Sequence, residues 1–210
     1  MAVRGWWDEQ VLPHLTDLTL ASAPVRRLRA QVTRGLHGEV IEVGFGSGAN
    51  LSHLPPEVSS VHAVEPSATA WRRSAERRES APVPVARLGL DGQRLPAADA
   101  SYDSALSTFT LCTIPDPVAA LRELRRVLRP GAALHFLEHG RAPDAGVLRW
   151  QRRLEPLQRR VAGGCHLSRD VPALLEDAGF EMEGIESGYA LGGGPMRPWG
   201  YLYRGTARSR

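Results

Sequence analysis

The chain has 210 residues, of which 42% are hydrophobic and 23% are charged. This length suits one domain with one hydrophobic core and is too short for two enzymatic domains joined by a linker. The composition is that of a globular protein, and no stretch approaches the roughly 18 uncharged apolar residues that a membrane-spanning helix requires. These features exclude a two-domain enzyme and a chain built around transmembrane helices.

All 26 basic residues are arginines, and the absence of lysine excludes a Schiff base, a lysine-anchored pyridoxal phosphate and a P-loop lysine. The net charge is +3, but the arginines are interspersed with 23 acidic residues on predicted helices, so no nucleic-acid partner is expected. The first residues lack a secretory signal, which favours a cytoplasmic protein. Peripheral contact with a membrane stays open, and the pattern indicates no oligomeric state.

The two cysteines, Cys112 and Cys165, lie far apart in the chain and do not form a Cys-x-x-Cys motif. This spacing predicts neither a disulfide framework nor a thiolate zinc site. The sequence therefore predicts no metal.

Residues 1–38 carry apolar side chains at roughly helical spacing, among them Trp6 and Trp7. We expect one or two helices that belong to the same domain as residues 39–210 and pack against its sheet. Core packing is the simpler interpretation of the two tryptophans, and a lid over a ligand pocket is the alternative.

From Glu39 onward, short apolar runs alternate with segments of helical period, a pattern typical of a mostly parallel sheet with crossover helices. We predict a three-layer, Rossmann-like α/β sandwich. The predicted strands are 40–43, 61–64, 83–87, 102–108, 133–138, 180–189 and 201–207, and the predicted helices are 68–79, 117–128 and 170–178. A glycine loop separates the last two strands, so these should pair as a hairpin with one strand antiparallel to the rest.

A glycine turn follows the first predicted strand. Gly44, Gly46 and Gly48 lie between that strand and a segment predicted to be helical. Glycine permits positive φ in a tight turn, and its lack of a Cβ lets the backbone approach a ligand at a helix N-terminus. The spacing fits a dinucleotide site and an adenosyl sulfonium site equally well, and a purely structural turn stays open.

Acidic residues near the turn distinguish these ligands. Glu65 follows the second predicted strand, where a carboxylate accepts hydrogen bonds from ribose hydroxyls of either cofactor. Glu42 precedes the turn, where it would repel a pyrophosphate and attract an ammonium or sulfonium group. Asp91 and Gly92 follow the third predicted strand and could meet adenine, although an ordinary Asp-Gly turn is the alternative. The acids favour a cationic ligand.

These motifs, with Tyr102-Asp103 and the run 124–131, resemble the ordered motif set of class I S-adenosylmethionine-dependent methyltransferases from about Glu39 to Phe180. Runs 111–116, 136–139 and 164–169 resemble the branch of alkyl-thiol methyltransferases, which is similar to bacterial quinone and phospholipid methyltransferases. The resemblance implies a seven-stranded sheet with an antiparallel last strand and S-adenosyl-L-methionine as cofactor. It also implies a small-molecule acceptor: a thiol, quinol, amine or lipid-like compound.

Transferred to this chain, the family pattern assigns a set of cofactor-binding residues. Glu42 would orient the ammonium group, and Thr108 would lie near the methyl group. The remaining residues contact the methionyl, ribose and adenine parts: Gly44, Gly46, Gly48, Glu65, Pro66, Asp91 and Gly92. Leu90 and Gly92 depart from the Gly and Ala that relatives usually carry there, which affects the adenine contacts.

Candidate acceptor residues lie farther along the chain. A thiol, hydroxyl or carbon acid must lose a proton, and His139 or His166 could act as general base. A structural alternative is that His166 only leads into a helix capped by Ser168. Further candidates for acceptor contacts are Trp150, Cys165 and Arg169, with simple packing as the alternative for Cys165.

The run from His135 to His139 matches the H-x-x-E-H pattern of some zinc peptidases, which requires a helix. Here it reads as a strand, in which four residues span about 13 Å, too far for two ligands of one ion. A zinc hydrolase is therefore not expected.

Two other functions stay open beside a small-molecule methyltransferase. One is a non-catalytic protein that binds S-adenosylmethionine or S-adenosylhomocysteine. The other is an NAD-dependent oxidoreductase, which the charge at Glu42 disfavours.

Overall fold

The structure of the protein is a computed structural model that describes residue 20, residues 22–191 and residues 193–209. Its strands are β1 (Gly38–Val43), β2 (Val58–Val64), β3 (Val85–Gly89), β4 (Tyr102–Thr108), β5 (Leu128–His139), β6 (Phe180–Tyr189) and β7 (Tyr201–Ser209). They form a seven-stranded sheet in the order β3-β2-β1-β4-β5-β7-β6. Strands β1 to β5 pair in parallel, and β7 runs antiparallel between β5 and β6. The predicted sheet, including its antiparallel last strand, is confirmed.

Five predicted strands differ from the observed ones in their bounds, and β3 and β5 differ most. Strand β3 lies farther along the chain than predicted, because Pro84 has no N–H to donate to the ladder. Strand β5 begins at Leu128, before Pro130 and Gly131, and its register against β4 shifts between Tyr102 and Ser104. The shift lets a strand interrupted by a proline rejoin the ladder.

The helices are α1 (Ala23–Val32), α2 (Ala68–Arg73), α3 (Ala75–Glu79), α4 (Pro117–Val127), α5 (Ala145–Val161), α6 (Val171–Asp177) and α7 (Arg197–Gly200). The single helix predicted over 68–79 is wrong, because it is interrupted at Ser74, whose hydroxyl donates to the carbonyl of Trp71 at 2.7 Å. Helix α5 was not predicted from its pattern. Its buried residue is the polar Gln151, whereas its apolar residues Trp150, Leu157 and Val161 are exposed.

Buried apolar residues form two clusters, one on each face of the sheet. Ala105 and Leu106 are neighbours in β4 but belong to different clusters, because successive side chains of a strand point to opposite faces. Leu121 of α4 and Leu175 of α6 lie in one cluster, and Val32 of α1 lies in the other. This is the three-layer sandwich that the sequence predicted.

Only part of the predicted N-terminal helical segment is described. Helix α1 packs against β5 and β7, with Val25 and Val32 buried. Trp6 and Trp7 lie outside the described residues, so the lid stays a prediction. Within the described ranges, no helix is long and apolar enough to cross a membrane.

Strands β6 and β7 pair as predicted, but their connection contains a 3₁₀ turn, Gly194–Met196, and helix α7. Gly205 of β7 pairs with Ile185, beside a register shift between Met182 and Gly184. The backbone of β6 approaches β7 so closely here that a Cβ on Gly205 would collide with the carbonyl oxygen of Gly184. Glycine is therefore required at Gly205 for the two strands to pair.

We predict that Gly205→Ala lowers the free energy of unfolding by about 1–3 kcal/mol, because the strands must separate to admit the methyl group. The matched control is Gly188→Ala in β6, where an added Cβ meets no atom within 4 Å. Urea unfolding of both variants checks this. Equal stability of the two variants would contradict the close approach of the strands.

Candidate functional site

The candidate site lies where the parallel strands end. Val43, Val64, Thr108 and His139 are the last residues of β1, β2, β4 and β5. The chain builds the sheet outward from β1 through β2 and β3, then crosses to the other side of β1 to form β4. Ligands of open α/β sheets bind at such a reversal of strand order.

The glycine turn after β1 has the backbone geometry that its sequence predicts. Gly44, Gly46 and Gly48 have φ of +74°, +60° and +78°. At Gly44 a side chain would also collide with Thr110. The helical segment predicted after the turn is wrong: turns lead into a short 3₁₀ helix, Leu51–His53. A positive φ at Gly48 interrupts the right-handed backbone, so the turn itself, and no α-helix N-terminus, lines this part of the site.

Glu42, in β1, has a buried carboxyl group, and one of its two oxygens makes no hydrogen bond. It is 1% exposed. The Asn50 side chain donates a hydrogen bond to its Oε1 at 2.7 Å, and its Oε2 has no hydrogen-bond partner. Burial raises the pKa of Glu42 to about 7, although the Asn50 hydrogen bond and the Arg29 charge act in the opposite direction. A cation that entered here would find an acceptor already free of competing bonds.

Arg29 and Asn50 complete a buried polar network around Glu42, and sequence reasoning missed both. Arg29 Nη1 donates to Asn50 Oδ1 and to Thr108 Oγ1, each at 2.8 Å. Asn50 Nδ2 also donates to Thr108 Oγ1, at 3.0 Å. Asn50 lies two residues after Gly48, the last glycine of the turn, and this position was the one available signal. Arg29 is one of several arginines on α1, and nothing in the spacing singles it out.

Glu65, which directly follows β2, faces the glycine turn. Its Oε2 accepts from the amide of Gly46 at 2.7 Å, and its Oε1 accepts from the amide of Ser67 at 2.7 Å. Burial raises its pKa, and these hydrogen bonds partly offset the effect. The neighbouring Pro66 is exposed. The structure thus brings this carboxylate against the turn, as the motif order predicts.

Asp91 and Gly92 follow β3. Asp91 is exposed, and its Oδ1 accepts from the backbone amide of Gln93 at 2.9 Å. A Cβ on Gly92 would lie 2.8 Å from Cγ1 of Val43, so the loop packs against the end of β1. The loop therefore forms the expected turn and lies beside the glycine turn.

His139, Cys165 and Cys112 converge on one point. One ring nitrogen and the two sulfurs all lie within 4.8 Å of one another. His139 and Cys112 are buried, and Cys165 is partly buried. A hydrogen bond with Cys112 and the neighbouring His139 lower the pKa of the Cys165 thiol to about 5. The same hydrogen bond and burial raise the pKa of the Cys112 thiol. Sequence spacing could not reveal this cluster, because its members come from three separate segments.

Arg169 and His166 flank the cluster. The Arg169 guanidinium donates to the carbonyl of Leu111, and burial lowers its pKa. The backbone amide of His166 donates to the carbonyl of Cys112 at 2.8 Å, and Nδ1 of its ring lies 3.2 Å from the same oxygen. The proposed Ser168 cap is wrong. Asp170 caps α6, and Ser168 donates to the carboxylate of Glu155.

Trp150 lies on α5 and is 54% exposed, with its ring 5.6 Å from the Arg153 guanidinium. The H-x-x-E-H run forms part of β5, as predicted, so it does not provide a helical zinc site. Within that run, Glu138 is buried and holds the loop after β4. It accepts hydrogen bonds from Ser107 Oγ and from the amides of Thr110 and Leu111.

Comparisons with known proteins agree with this geometry. A family model described as a methyltransferase domain matches residues 41–136. The thiol S-methyltransferase TMT1B of Rattus norvegicus is 34% identical over 205 residues, covering 89% of this chain and 83% of that protein. A phosphatidylethanolamine N-methyltransferase of Cereibacter sphaeroides is 31% identical over 132 residues, covering 61% of this chain and 63% of that protein.

The fold also has solved counterparts. A SAM-dependent methyltransferase structure from Thermotoga maritima superimposes with a TM-score of 0.68 at 20% identity. The match covers 99% of this chain and 100% of that one. At this identity the likeness concerns the fold alone.

We predict that stability falls as pH rises from 4.5 to 7, in part because of Glu42. In this window the folded chain keeps the Glu42 proton while the unfolded chain releases it, which costs about 3 kcal/mol by pH 7 and above. In Glu42→Gln, whose carbonyl can still accept from Asn50, this contribution disappears. The variant should therefore gain stability over the wild type at pH 8 but not at pH 4.

Urea unfolding at the two pH values checks this, with Glu176→Gln, an exposed residue, as control. The same stability difference between wild type and Glu42→Gln at both pH values would contradict the raised pKa of Glu42.

Proposed function

Because the chain belongs to the class I S-adenosylmethionine-dependent methyltransferases, we propose that it transfers the sulfonium methyl group to the sulfur of a small-molecule thiol. The structural observation that carries the methyl-donor part of this proposal is the buried Glu42 carboxyl group beside the glycine turn, whose Oε2 has no hydrogen-bond partner. A pyrophosphate at this point would be repelled, whereas the ammonium and sulfonium groups of S-adenosylmethionine would be attracted.

The methionyl end of the cofactor fits the Glu42 network. The ammonium group would donate to Glu42 Oε2, and ionisation of the carboxyl would add an ion pair. Arg29, which bonds Asn50 and Thr108 in the same network, would supply a cation for the methionyl carboxylate. Thr108, at the end of β4, would then lie near the methyl group.

The adenosine end fits the loops after β2 and β3. Each oxygen of Glu65 accepts one backbone hydrogen bond, and a carboxylate oxygen has two lone pairs. Glu65 can therefore accept a ribose hydroxyl without giving up its bond to Gly46. Asp91 and Gly92 would meet the adenine, and Pro66 would border the ribose.

A thiol acceptor is supported by the thiol S-methyltransferase relative, which matches most of the chain. Methyl transfer is an in-line displacement, so the protein must align the sulfur behind the methyl group and exclude water. The acceptor must also lose its proton, since the thiolate is the nucleophile. His139 and His166 are the candidates for this role, and each has one ring nitrogen close to a backbone carbonyl, of Pro198 and of Cys112 respectively. Trp150 and Arg169 stay candidates for acceptor contacts.

Methyl-labelled S-adenosylmethionine, incubated with the protein and 2-mercaptoethanol, ethanolamine or ethylene glycol, tests the accepting atom. These probes share one carbon skeleton and differ only in the nucleophile. We expect label on the thiol alone, and a quinol and a phosphatidylethanolamine vesicle extend the comparison. Label on an amine, a quinol or lipid would contradict the thiol proposal. S-adenosylhomocysteine binding with no turnover would instead indicate a non-catalytic binder.

We predict that Glu42→Ala and Glu65→Ala each weaken S-adenosylhomocysteine binding about tenfold to a hundredfold, since each removes hydrogen bonds to a charged acceptor. Isothermal titration calorimetry checks this, with circular dichroism as the test of folding. The control is Glu186→Ala, an exposed carboxylate on β6. Unchanged affinity in Glu42→Ala, or binding of NAD in place of S-adenosylhomocysteine, would overturn the cofactor assignment.

A further inference from the structure

Cys112, His139 and Cys165 form a cluster of side chains that is separate from the residues assigned to the cofactor. These residues come from the loop after β4, the end of β5 and the loop before α6. The described residues contain this one group of three histidine, cysteine or acidic side chains whose ligand atoms lie within 4.8 Å of one another. Tetrahedral zinc with sulfur and nitrogen ligands separates those atoms by about 3.5–3.8 Å, so a small inward movement would suffice.

We infer that Cys112, His139 and Cys165 are three ligands of a zinc ion whose fourth coordination position receives the thiolate of the methyl acceptor, an inference that rests on the proposed function. Two thiolates and an imidazole with one open position form a ligand set found in catalytic zinc enzymes. Two thiolates also neutralise the charge of the ion, which lets it lie in a buried site.

Groups around the cluster hold its members in ligating positions. His139 Nε2 lies 3.3 Å from the carbonyl oxygen of Pro198, so one ring nitrogen donates to the backbone and the other is left to bind a metal. The side chain of Gln158 lies beside Cys165, and its Oε1 accepts a hydrogen bond from Trp199 Nε1 at 3.1 Å. Histidine ligands of metals typically have such a backbone or carboxylate partner.

The position of the cluster relates it to the acceptor. Cys112 lies two residues after Thr110, which packs against Gly44 of the glycine turn. His139 is the last residue of β5, the strand next to β4. Cys112 and His139 are buried, and Cys165 is half-buried. An acceptor bound here would approach from the same sheet edge as the cofactor.

The chemistry balances without an oxidant. Coordination to zinc displaces the thiol proton to solvent, and the metal-bound sulfur then forms a bond to the methyl carbon as the sulfonium carbon–sulfur bond breaks. The products are a thioether, S-adenosylhomocysteine and one proton, and zinc keeps its oxidation state. His139 is then a metal ligand and not the general base, and the expectation of no metal is revised.

The test is the zinc content of the reduced 210-residue chain after incubation with zinc and gel filtration, measured by mass spectrometry. We expect one zinc ion per chain in the wild type, and loss of that ion in Cys112→Ala and in Cys165→Ala. The control is His166→Ala, a neighbouring histidine outside the cluster, which should keep its zinc. Circular dichroism identifies any variant that has not folded.

Cobalt substitution supplies a readout that does not depend on variants or activity. The wild type loaded with Co²⁺ should show sulfur-to-cobalt charge-transfer absorption, and added 2-mercaptoethanol should shift it if the fourth position is open. No retained zinc, zinc retained equally by the cysteine variants, or a spectrum insensitive to thiol would overturn the inference. So would a Cys112–Cys165 disulfide that persists under zinc loading.

The two proposals fail differently. Methylation of a thiol by demetallated protein at the wild-type rate would overturn the zinc inference and leave the proposed function standing. A stable Cys112–His139–Cys165 zinc site in a protein that methylates only amines would overturn the proposed thiol acceptor and the role of the fourth position, and would leave only the metal site standing.

Discussion

Burial of the Glu42 carboxyl group at the end of β1 is the constraint around which the candidate site is organised. A carboxyl group removed from water resists ionisation unless its oxygens are hydrogen-bonded or paired with a cation. The chain supplies one hydrogen bond, from Asn50, and leaves Oε2 without a hydrogen bond. The adjacent turn has positive φ at Gly44, Gly46 and Gly48, a backbone conformation that side chains rarely adopt. The resulting preference is for a positively charged ligand.

Glu138 provides an internal comparison, since it is equally buried and its pKa is also raised to about 7 by burial. Its two oxygens, however, accept hydrogen bonds from Ser107, Thr110 and Leu111. This carboxyl group therefore holds the loop that carries Cys112, and it has little capacity left for a ligand. Glu42 and Glu138 lie at the same edge of the sheet, but only Glu42 keeps a carboxyl oxygen without a hydrogen bond.

The sequence predicted most of the sheet but not all of the helices. Strand β4 has the predicted bounds, although it buries Ser104, Ser107 and Thr108 beside Ala105 and Leu106 and is not a continuous apolar run. Helix α5 was missed because its buried residue is the polar Gln151, which hydrogen-bonds to Ala142, Gly140 and Pro198, whereas its apolar residues Trp150, Leu157 and Val161 are exposed. Local pattern alone does not identify a helix anchored by a polar residue.

The same distinction applies to the site. Glu42 and Glu65 were located because they occupy fixed positions beside a glycine motif and a strand end. Arg29 and the partnership of Cys112 with Cys165 were not, because they depend on how distant segments pack. The prediction that Ser168 caps α6 is wrong, because the Ser168 hydroxyl donates a hydrogen bond to Glu155 and Asp170 is the cap. Contacts within one motif could be predicted, whereas contacts between motifs required the structure.

The most direct test of the account is the affinity for S-adenosylhomocysteine at pH 6 and at pH 8, measured by calorimetry in the wild type and in Glu42→Gln. The ligand keeps its ammonium charge over this range, so ionisation of Glu42 through a pKa of about 7 should tighten wild-type binding about tenfold. The variant should show little dependence on pH. Wild-type affinity that does not change with pH, or an equal change in Glu42→Gln, would contradict the claim that this buried carboxyl group recognises a cation.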